Sequence, residues 1–135
     1  MIRLMKIPEL SIVMDLWRNH LINQVKVDVQ MVADYEPAAK EMMQHANVYV
    51  YIEDEEIKGF ASVVGGYYIS NLVVYENEAI EEMLTYLKER YDELQVDLPA
   101  NVTALDVLLK NEFTLLGDAV HDVLEYKEKE LEWLR

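Results

Sequence analysis

Side chains that could transfer a proton to or from a substrate are scattered along this sequence. The candidates are Glu41, His45, Tyr67, Tyr68 and Glu76, residue types that act as general bases or acids when they lie within hydrogen-bond distance of a substrate. No motif surrounds any of them, and we take Tyr68 and Glu76 as the candidate catalytic residues. Successive residues of a strand point to opposite faces, so at most one of the two tyrosines can face a site. The alternative is that one tyrosine lies in the core and the other at the surface.

Several other chemistries are excluded by what the sequence lacks. The absence of cysteine excludes disulfides, thiolate metal ligands and a cysteine nucleophile. The three histidines, His20, His45 and His121, are too scattered to form a metal-binding motif, so we predict no metal site. Neither a Gly-x-Ser-x-Gly motif nor a phosphate-binding Gly-Lys-Ser/Thr motif occurs, which argues against a hydrolase or a nucleoside triphosphatase.

Charge and composition limit the partners of the chain. It has 135 residues, of which 26 are acidic and 12 basic, and its formal net charge is −14. Such a charge repels phosphate groups, so we predict neither nucleic acid nor an anionic membrane as a partner. No apolar run approaches the roughly 20 residues of a membrane span, and the N-terminus lacks a signal-peptide pattern. With the absence of cysteine this indicates a cytoplasmic protein, and the length predicts one domain over residues 1–135.

Hydrophobic spacing predicts helices in the first half of the chain and again after its middle. A short strand at residues 1–5 precedes a helix that starts at Pro8, where a missing N–H costs nothing. A second helix is predicted from an N-cap at Asp34, and residues 23–30 between the two helices show no pattern. The clearest helix covers residues 79–91.

The remaining segments predict strands. Stretches rich in β-branched and aromatic residues, bounded by turn residues, indicate a three-stranded antiparallel meander followed by three later strands. The predicted strands are residues 47–53, 57–64, 67–74, 94–98, 113–117 or slightly beyond, and roughly 127–134. A fourth helix, capped by Asn101 or Thr103, follows the strand at 94–98. The order β-α-α-β-β-β-α-β-α-β-β predicts an α/β (or α+β) fold with a mixed central sheet and helices on both faces, in which the helix at 79–91 connects parallel strands.

Five short motifs occur within this order of elements. They are Ile69-Ser70-Asn71-Leu72-Val73-Val74, Gly59-Phe60, Asn101-x-x-Ala104, Lys110 with Phe113, and Glu130-Leu131-Glu132-Trp133. The first fits an aliphatic-x-x-Leu-x-Val pattern, and the third and fourth fit parts of an Asn-x-x-Ala…Tyr-x-Lys-x-Gly-Phe pattern. Together with the element order over the whole chain, they resemble the GNAT superfamily of acetyl-CoA-dependent N-acetyltransferases.

The resemblance implies a cofactor, a site and a partner. In the family the central strand bulges and parts from its parallel neighbour, and the pantetheine arm of acetyl-CoA lies in the gap, paired with backbone groups. By resemblance those groups belong to Leu72, Val73 and Val74, where a backbone N–H would polarise the thioester carbonyl. Asn101 matches a further cofactor contact, although a helix N-cap explains it equally well. The acceptor would be a primary amine of a small molecule or peptide, and the protein could form a homodimer.

The sequence departs from the family pattern in two places. The family wraps the pyrophosphate of the cofactor with a Gln/Arg-x-x-Gly-x-Gly/Ala loop at a helix N-terminus, whereas residues 75–82 contain no Gly, Arg or Gln and hold four glutamates. Leu108 stands where the family often has the tyrosine that protonates the leaving thiolate, and Glu112 replaces a glycine. Binding of acetyl-CoA is therefore expected to be weak or lost.

Two functions remain open at this point. One is a divergent N-acetyltransferase that transfers an acyl group from acetyl-CoA to a primary amine. The other is a catalytically inactive GNAT-fold module that binds a partner or a small ligand. The acidic face of the helix at 79–91 is interpreted as solvated surface, with recruitment of a basic partner or a polyamine as the alternative.

Overall fold

Strands and helices alternate along residues Met1–Arg135, all of which the computed structural model describes. The strands are β1 (Ile2–Leu4), β2 (Asn47–Glu53), β3 (Glu56–Val64), β4 (Tyr68–Val73), β5 (Glu93–Pro99), β6 (Thr114–Val120) and β7 (Lys127–Leu134). The helices are α1 (Leu10–Asn19), α2 (Val29–Gln44), α3 (Asn77–Lys88) and α4 (Ala104–Lys110); a short 3-10 helix (Ile7–Glu9) precedes α1, and a π-helical segment (His20–Val25) continues it. This order confirms the predicted architecture. None of the helices combines the length and the apolar character needed to cross a membrane.

The strands form one mixed sheet in the order β1-β2-β3-β4-β5-β7-β6. β4 and β5 are the parallel pair, and every other pair of neighbours is antiparallel. A parallel pair requires a crossover connection, and α3 supplies it, as the sequence predicted. β4 is therefore the strand at which the sheet changes from antiparallel to parallel pairing.

Helices cover both faces of the sheet, because successive side chains of each strand point to opposite sides. Along β2, Val48 and Val50 belong to the buried cluster that also contains residues of α1 and α2. Tyr49, between them, belongs to the cluster with α3 and α4. β3 follows the same rule, with Phe60 in the first cluster and Ala61 in the second. Each face of the central strands is thus buried in an apolar core.

The start of α2 corrects the sequence prediction. The prediction of Asp34 as the N-cap was wrong: α2 begins at Val29, and Asp28 is its N-cap. The Asp28 carboxylate accepts hydrogen bonds from the backbone N–H groups of Gln30 and Met31, at 3.0 and 3.2 Å. The first turn of α2 carries too little apolar periodicity to predict a helix, although Val32 within it is fully buried.

Hydrogen bonds explain where two other elements, α3 and β6, end. α3 occupies Asn77–Lys88 rather than 79–91, because the carbonyl of Leu87 accepts bonds from the N–H groups of both Arg90 and Tyr91, at 3.0 Å each, and the bond from Arg90 is the 3-10 type that tightens a last turn. The strand predicted at residues 113–117 or slightly beyond extends, as β6, to Val120, because it stays paired with β7 to the end, where Val120 lies opposite Lys127.

Replacing Asp28 with alanine is expected to destabilise the protein by about 1 kcal/mol, the usual worth of an N-cap that satisfies two free N–H groups. Urea denaturation followed by circular dichroism measures this. The matched control is Asp34→Ala, six residues later, which removes only a side-chain bond to Gln30 and is expected to cost no more than about 0.5 kcal/mol. Equal losses in the two variants would contradict the assignment of Asp28 as the cap.

Candidate functional site

β4 contains a β-bulge at Ser70. In its pairing with β3, Asn71 lies opposite Ser62 and Ile69 lies opposite Val63, so Ser70 has no partner. A bulge inserts one unpaired residue, bends the strand and re-aims its side chains. Ser70 and Asn71 consequently line the same pocket, although they are neighbours in sequence. The bulge of the central strand that the family resemblance implied is therefore present.

β4 also parts from β5 immediately after this point. The parallel pairing consists of Tyr68 opposite Gln95 and Ile69 opposite Val96, although β5 remains paired with β7 as far as Pro99. From Ser70 onward the edge of β4 that faces β5 has no strand partner. We call the space between the two parted strands the gap.

The residues predicted to bind the cofactor lie along this edge. Leu72, Val73 and Val74 are buried, with 8%, 1% and 6% of their surfaces exposed. Leu72 and Val74 belong to the apolar cluster under α3 and α4, and Leu108 lies fully buried in the same cluster. The side chains are thus structural, and any contact with a cofactor would come from the backbone, so their role in binding stays a prediction.

A small cavity of about 100 Å³ lies over the bulge, on the face of the sheet that α1 and α2 cover. We call it the acidic pocket. α1 and α2 supply its apolar and aromatic wall. β4 contributes Tyr68, Ser70 and Asn71, whereas β7 and the loop before it contribute His121, Tyr126 and Glu128. The pocket and the gap thus share the bulged segment of β4.

Three polar side chains form the base of the pocket at the bulge. The hydroxyl oxygens of Ser62 and Ser70 are 2.6 Å apart, and the Asn71 amide donates to the Ser62 hydroxyl at 3.0 Å. Ser62 is fully buried. Because buried polar groups need partners, this network fixes the side chains on both sides of the bulge.

One carboxylate, Glu128, lines the pocket, and a second, Asp97, lies behind the lining residue Tyr68. The Tyr68 hydroxyl donates to Asp97 Oδ2 at 3.0 Å, whereas Asp97 Oδ1 is buried and has no hydrogen-bond partner. Glu128 is 7% exposed, and burial, followed by the charges of Asp97 and Asp122, raises its pKa to about 7. Burial and the Asp97 charge likewise raise the pKa of Tyr68, so its phenol keeps its proton.

Aromatic rings close the side of the pocket away from β4. His121 stacks on Tyr126, with ring centroids 4.8 Å apart, and meets the edge of Tyr35 at 5.7 Å. His121 Nδ1 accepts hydrogen bonds from the backbone N–H groups of Val123 and Leu124, at 3.2 and 3.0 Å. Burial lowers the pKa of His121, so the ring is neutral near pH 7 and adds no positive charge to the pocket.

The other sequence candidates lie elsewhere. Glu76 lines a separate surface pocket of about 300 Å³ together with Tyr51 and Lys58. Tyr67 is 42% exposed, and Glu41 and His45 line a shallow depression on α2. Of the two candidate catalytic residues, the structure places Tyr68 in the acidic pocket and Glu76 outside it.

Asn101 does not cap α4. Thr103 holds the N-cap position, and its side chain forms no capping bond. The Asn101 amide instead donates to the carbonyls of Gln24 and Val25, at 3.4 and 3.0 Å. Asn101 thus ties the end of β5 to the π-helical segment, and a role in cofactor binding stays a prediction.

Sequence reasoning missed Asp97, His121, Tyr126 and Glu128. The signal that could have found them is the alternation of acidic with apolar residues along β5 and β7, which places Asp97 and Glu128 on the face of the sheet that α1 and α2 cover. The loop before β7 covers that end of the sheet. Its sequence shows no hydrophobic pattern from which this could be predicted.

Comparison with known proteins supports the fold. No protein-family model matches this sequence, and no curated protein matches it. A solved GCN5-related N-acetyltransferase from Rhodopseudomonas palustris is 14% identical with a TM-score of 0.78, covering 100% of this chain and 95% of its own. YjaB from Escherichia coli, in its apo form, is 15% identical with a TM-score of 0.78, covering 98% of this chain and 96% of its own.

A third structure, the aminoglycoside acetyltransferase AAC(6')-Ib in complex with coenzyme A, is 14% identical with a TM-score of 0.62, covering 99% of this chain and 94% of its own. The three likenesses cover essentially the whole chain. The protein therefore has the fold of the GNAT N-acetyltransferases, which confirms the fold that the sequence motifs indicated.

The raised pKa of Glu128 generates a prediction about stability. The folded protein holds a proton on this carboxyl more tightly than the unfolded chain, whose value is 4.5, so the free energy of unfolding falls as the pH rises from about 4.5 to about 7. In Glu128→Gln the titrating carboxyl group is absent, so this decrease in the free energy of unfolding is removed. The melting temperature of the variant, relative to the unmodified protein, is expected to be a few degrees higher at pH 8 than at pH 5.

Differential scanning calorimetry at both pH values measures this difference. The matched control is Glu132→Gln, farther along β7 and partly exposed, whose difference from the unmodified protein is expected to stay constant over the same range. A Glu128→Gln difference that also stays constant would show that Glu128 is ionised alike in the folded and unfolded states.

Proposed function

We propose that this protein is an N-acetyltransferase that transfers the acetyl group of acetyl-CoA to a primary amine of a small molecule bound in the acidic pocket. The observation that carries the proposal is the shared segment at Ser70, where the gap opens on one side of β4 and the pocket lies beside it. The AAC(6')-Ib fold relative has been solved with coenzyme A and kanamycin, which supports a small amine as the acceptor. We place the protein in the cytoplasm.

The edge of β4 fits the arm of the donor. Beyond Ile69 the strand has no partner on the β5 side, and an extended chain of amides can pair with such an edge. Backbone groups at Leu72, Val73 and Val74 would hold the arm, and the thioester would supply an activated acetyl carbonyl. A preorganised N–H at this edge would stabilise negative charge on that oxygen.

The phosphate end of the donor finds no such fit. Glu76 is the N-cap residue of α3, and its side chain forms no capping bond. Glu78 follows in the first turn. Carboxylates there occupy the positive end of the helix dipole that would otherwise attract a phosphate. The nucleotide half of acetyl-CoA is therefore expected to add little to its affinity.

The leucine at position 108 also limits which groups of the site could transfer a proton. It is fully buried, and its hydrocarbon side chain can neither donate nor accept a proton. The leaving thiolate must therefore take its proton from another group of the site or from water, and the attacking amine needs a base of its own. The titratable side chains nearest the bulge are those of the acidic pocket.

The missing phosphate cradle generates a test of donor binding. Acetyl-pantetheine, which lacks the nucleotide, is expected to bind within a few-fold of acetyl-CoA, because both donors present the same arm to β4. Thermal unfolding with millimolar donor measures both affinities, since a ligand at about 100 times its Kd adds about 2.7 kcal/mol of stability. Glu76→Gln combined with Glu78→Gln is expected to strengthen acetyl-CoA binding and leave acetyl-pantetheine binding unchanged.

The control for the double variant is Glu89→Gln, at the opposite end of α3, which is expected to change neither affinity. Acetyl transfer to a panel of small primary amines, followed by mass spectrometry, then tests the reaction itself. Absence of any shift with either donor, at low and at moderate salt, would remove the acetyltransferase and favour a non-catalytic module with this fold.

A further inference from the structure

The acidic pocket contains a buried charge without a partner in the chain. Glu128 is 7% exposed, lines the cavity, and accepts no hydrogen bond from any donor of the protein. Asp97 Oδ1, on the neighbouring strand, is buried and equally unpartnered. A buried carboxylate without a partner destabilises a folded protein. Glu128 thus presents an unpartnered carboxylate to the cavity, which fits a group that would supply hydrogen-bond donors and positive charge.

No basic side chain of the protein provides that charge. The charged groups that act on Glu128 are Asp97, Asp122 and Glu130, all acidic. Among the other titratable groups of the pocket, Tyr35, Tyr68 and Tyr126 have raised pKa values and His121 has a lowered one, so all four are uncharged near pH 7. On β7, Lys129 pairs with Asp118 of β6 instead. The pocket therefore attracts cations and repels anions.

The residues that line the cavity favour a cation of a particular shape. The cavity of about 100 Å³ is lined on the helix side by Leu21, Ala39 and Met42, with the ring of Trp17 beside them. Apolar walls suit methylene groups, and aromatic faces attract an ammonium group. A carboxylate next to the amine, as in an amino acid, would be repelled by the negative charges of Glu128 and Asp97, and the small volume favours an unbranched stem.

We propose that the acidic pocket is a site for the primary ammonium group of an unbranched alkylamine or diamine, held by Glu128, and that Glu128 removes the ammonium proton. The binding half of this proposal stands without acetyl transfer, and the proton half rests on the function proposed above. In the proton step an N–H bond breaks and an O–H bond forms. A neutral amine with a free lone pair and a neutral carboxyl group result, and the carboxyl group afterwards loses its proton to water.

Two further observations favour Glu128 over Tyr68 for this step. Tyr68 already donates its proton to Asp97 at 3.0 Å, so it positions that carboxylate rather than accepting a proton. A base works best when its pKa lies near the working pH, and burial brings that of Glu128 to about 7. Tyr68 is thus a positioning residue, and Glu128 touches the ammonium group.

Binding is tested with n-butylamine and 1,4-diaminobutane by isothermal titration calorimetry, without any acetyl donor. Both are expected to bind at pH 8 and to bind at least tenfold more weakly at pH 5, where Glu128 is protonated. 1-Butanol and 4-aminobutyrate, the uncharged and carboxylate-bearing counterparts, are expected to bind at least tenfold more weakly at pH 8. Binding of 1-butanol as tight as that of n-butylamine would overturn the ammonium site.

Glu128→Gln keeps the size of the side chain and is expected to weaken amine binding at pH 8 at least tenfold, whereas Glu132→Gln on the same strand leaves it unchanged. Calorimetric unfolding establishes that both variants are folded. Equal affinity in Glu128→Gln and the unmodified protein would overturn the role of Glu128 in binding.

The proton role has its own readout. In acetyl transfer to n-butylamine, kcat/KM is expected to rise with an apparent pKa of about 7, and Glu128→Gln is expected to remove that inflection and lower kcat more than tenfold. An unchanged profile in the variant would overturn Glu128 as the base. Amine binding without any transfer would leave the ammonium site standing and overturn the acetyltransferase and the proton step with it.

Discussion

The incomplete pairing of β4 with β5 is the constraint on which the rest of this structure depends. β4 is paired with β3 along its whole length except at Ser70, but it meets β5 at only two positions, because the extra residue at Ser70 bends it away. Without that bend the edge at Leu72 to Val74 would be consumed by sheet hydrogen bonds. The same bend places Ser70 and Asn71 together under α1 and α2, so one irregularity creates both the gap and the base of the pocket.

The gap and the acidic pocket differ in how many side chains suited to a ligand surround them. On the donor side the backbone edge is present, but the glycines and basic residues that would cradle phosphates are replaced by glutamates. On the other side, carboxylates, aromatic rings and apolar walls converge on one small cavity. The net charge of −14 is therefore more than a solubility feature, since part of it is buried where it can act on a bound molecule.

The sequence predicted the sheet better than the site. β2 occurs at the predicted residues because β-branched and aromatic side chains fill its centre. β7 does so because charged and apolar residues alternate over residues 130–133, and α3 was evident from its apolar spacing. The N-cap of α2 at Asp28 was missed because β-branched valines recur through residues 25–32 and disfavour a helix there. The pocket was missed for a different reason: Asp97, His121 and Glu128 come from two strands and a loop, and acidic residues that alternate along β7 resemble solvent-exposed positions. The packing of the helices determines which face of the sheet is buried, and no local sequence pattern predicts that packing.

The π-helical segment after α1 links the two strands that part. Its first residue, His20, is buried with Nδ1 3.1 Å from the Tyr75 hydroxyl, just beyond β4, and its last residue, Val25, accepts the bond from Asn101, just beyond β5. Any molecule that widened the gap would strain both ties and move Leu21, which lies within this segment and lines the pocket. Occupancy on one side of β4 would thus change affinity on the other, and by thermodynamic reciprocity the effect would be equal in both directions. The segment would thus couple the two sides of β4, whichever side is occupied first.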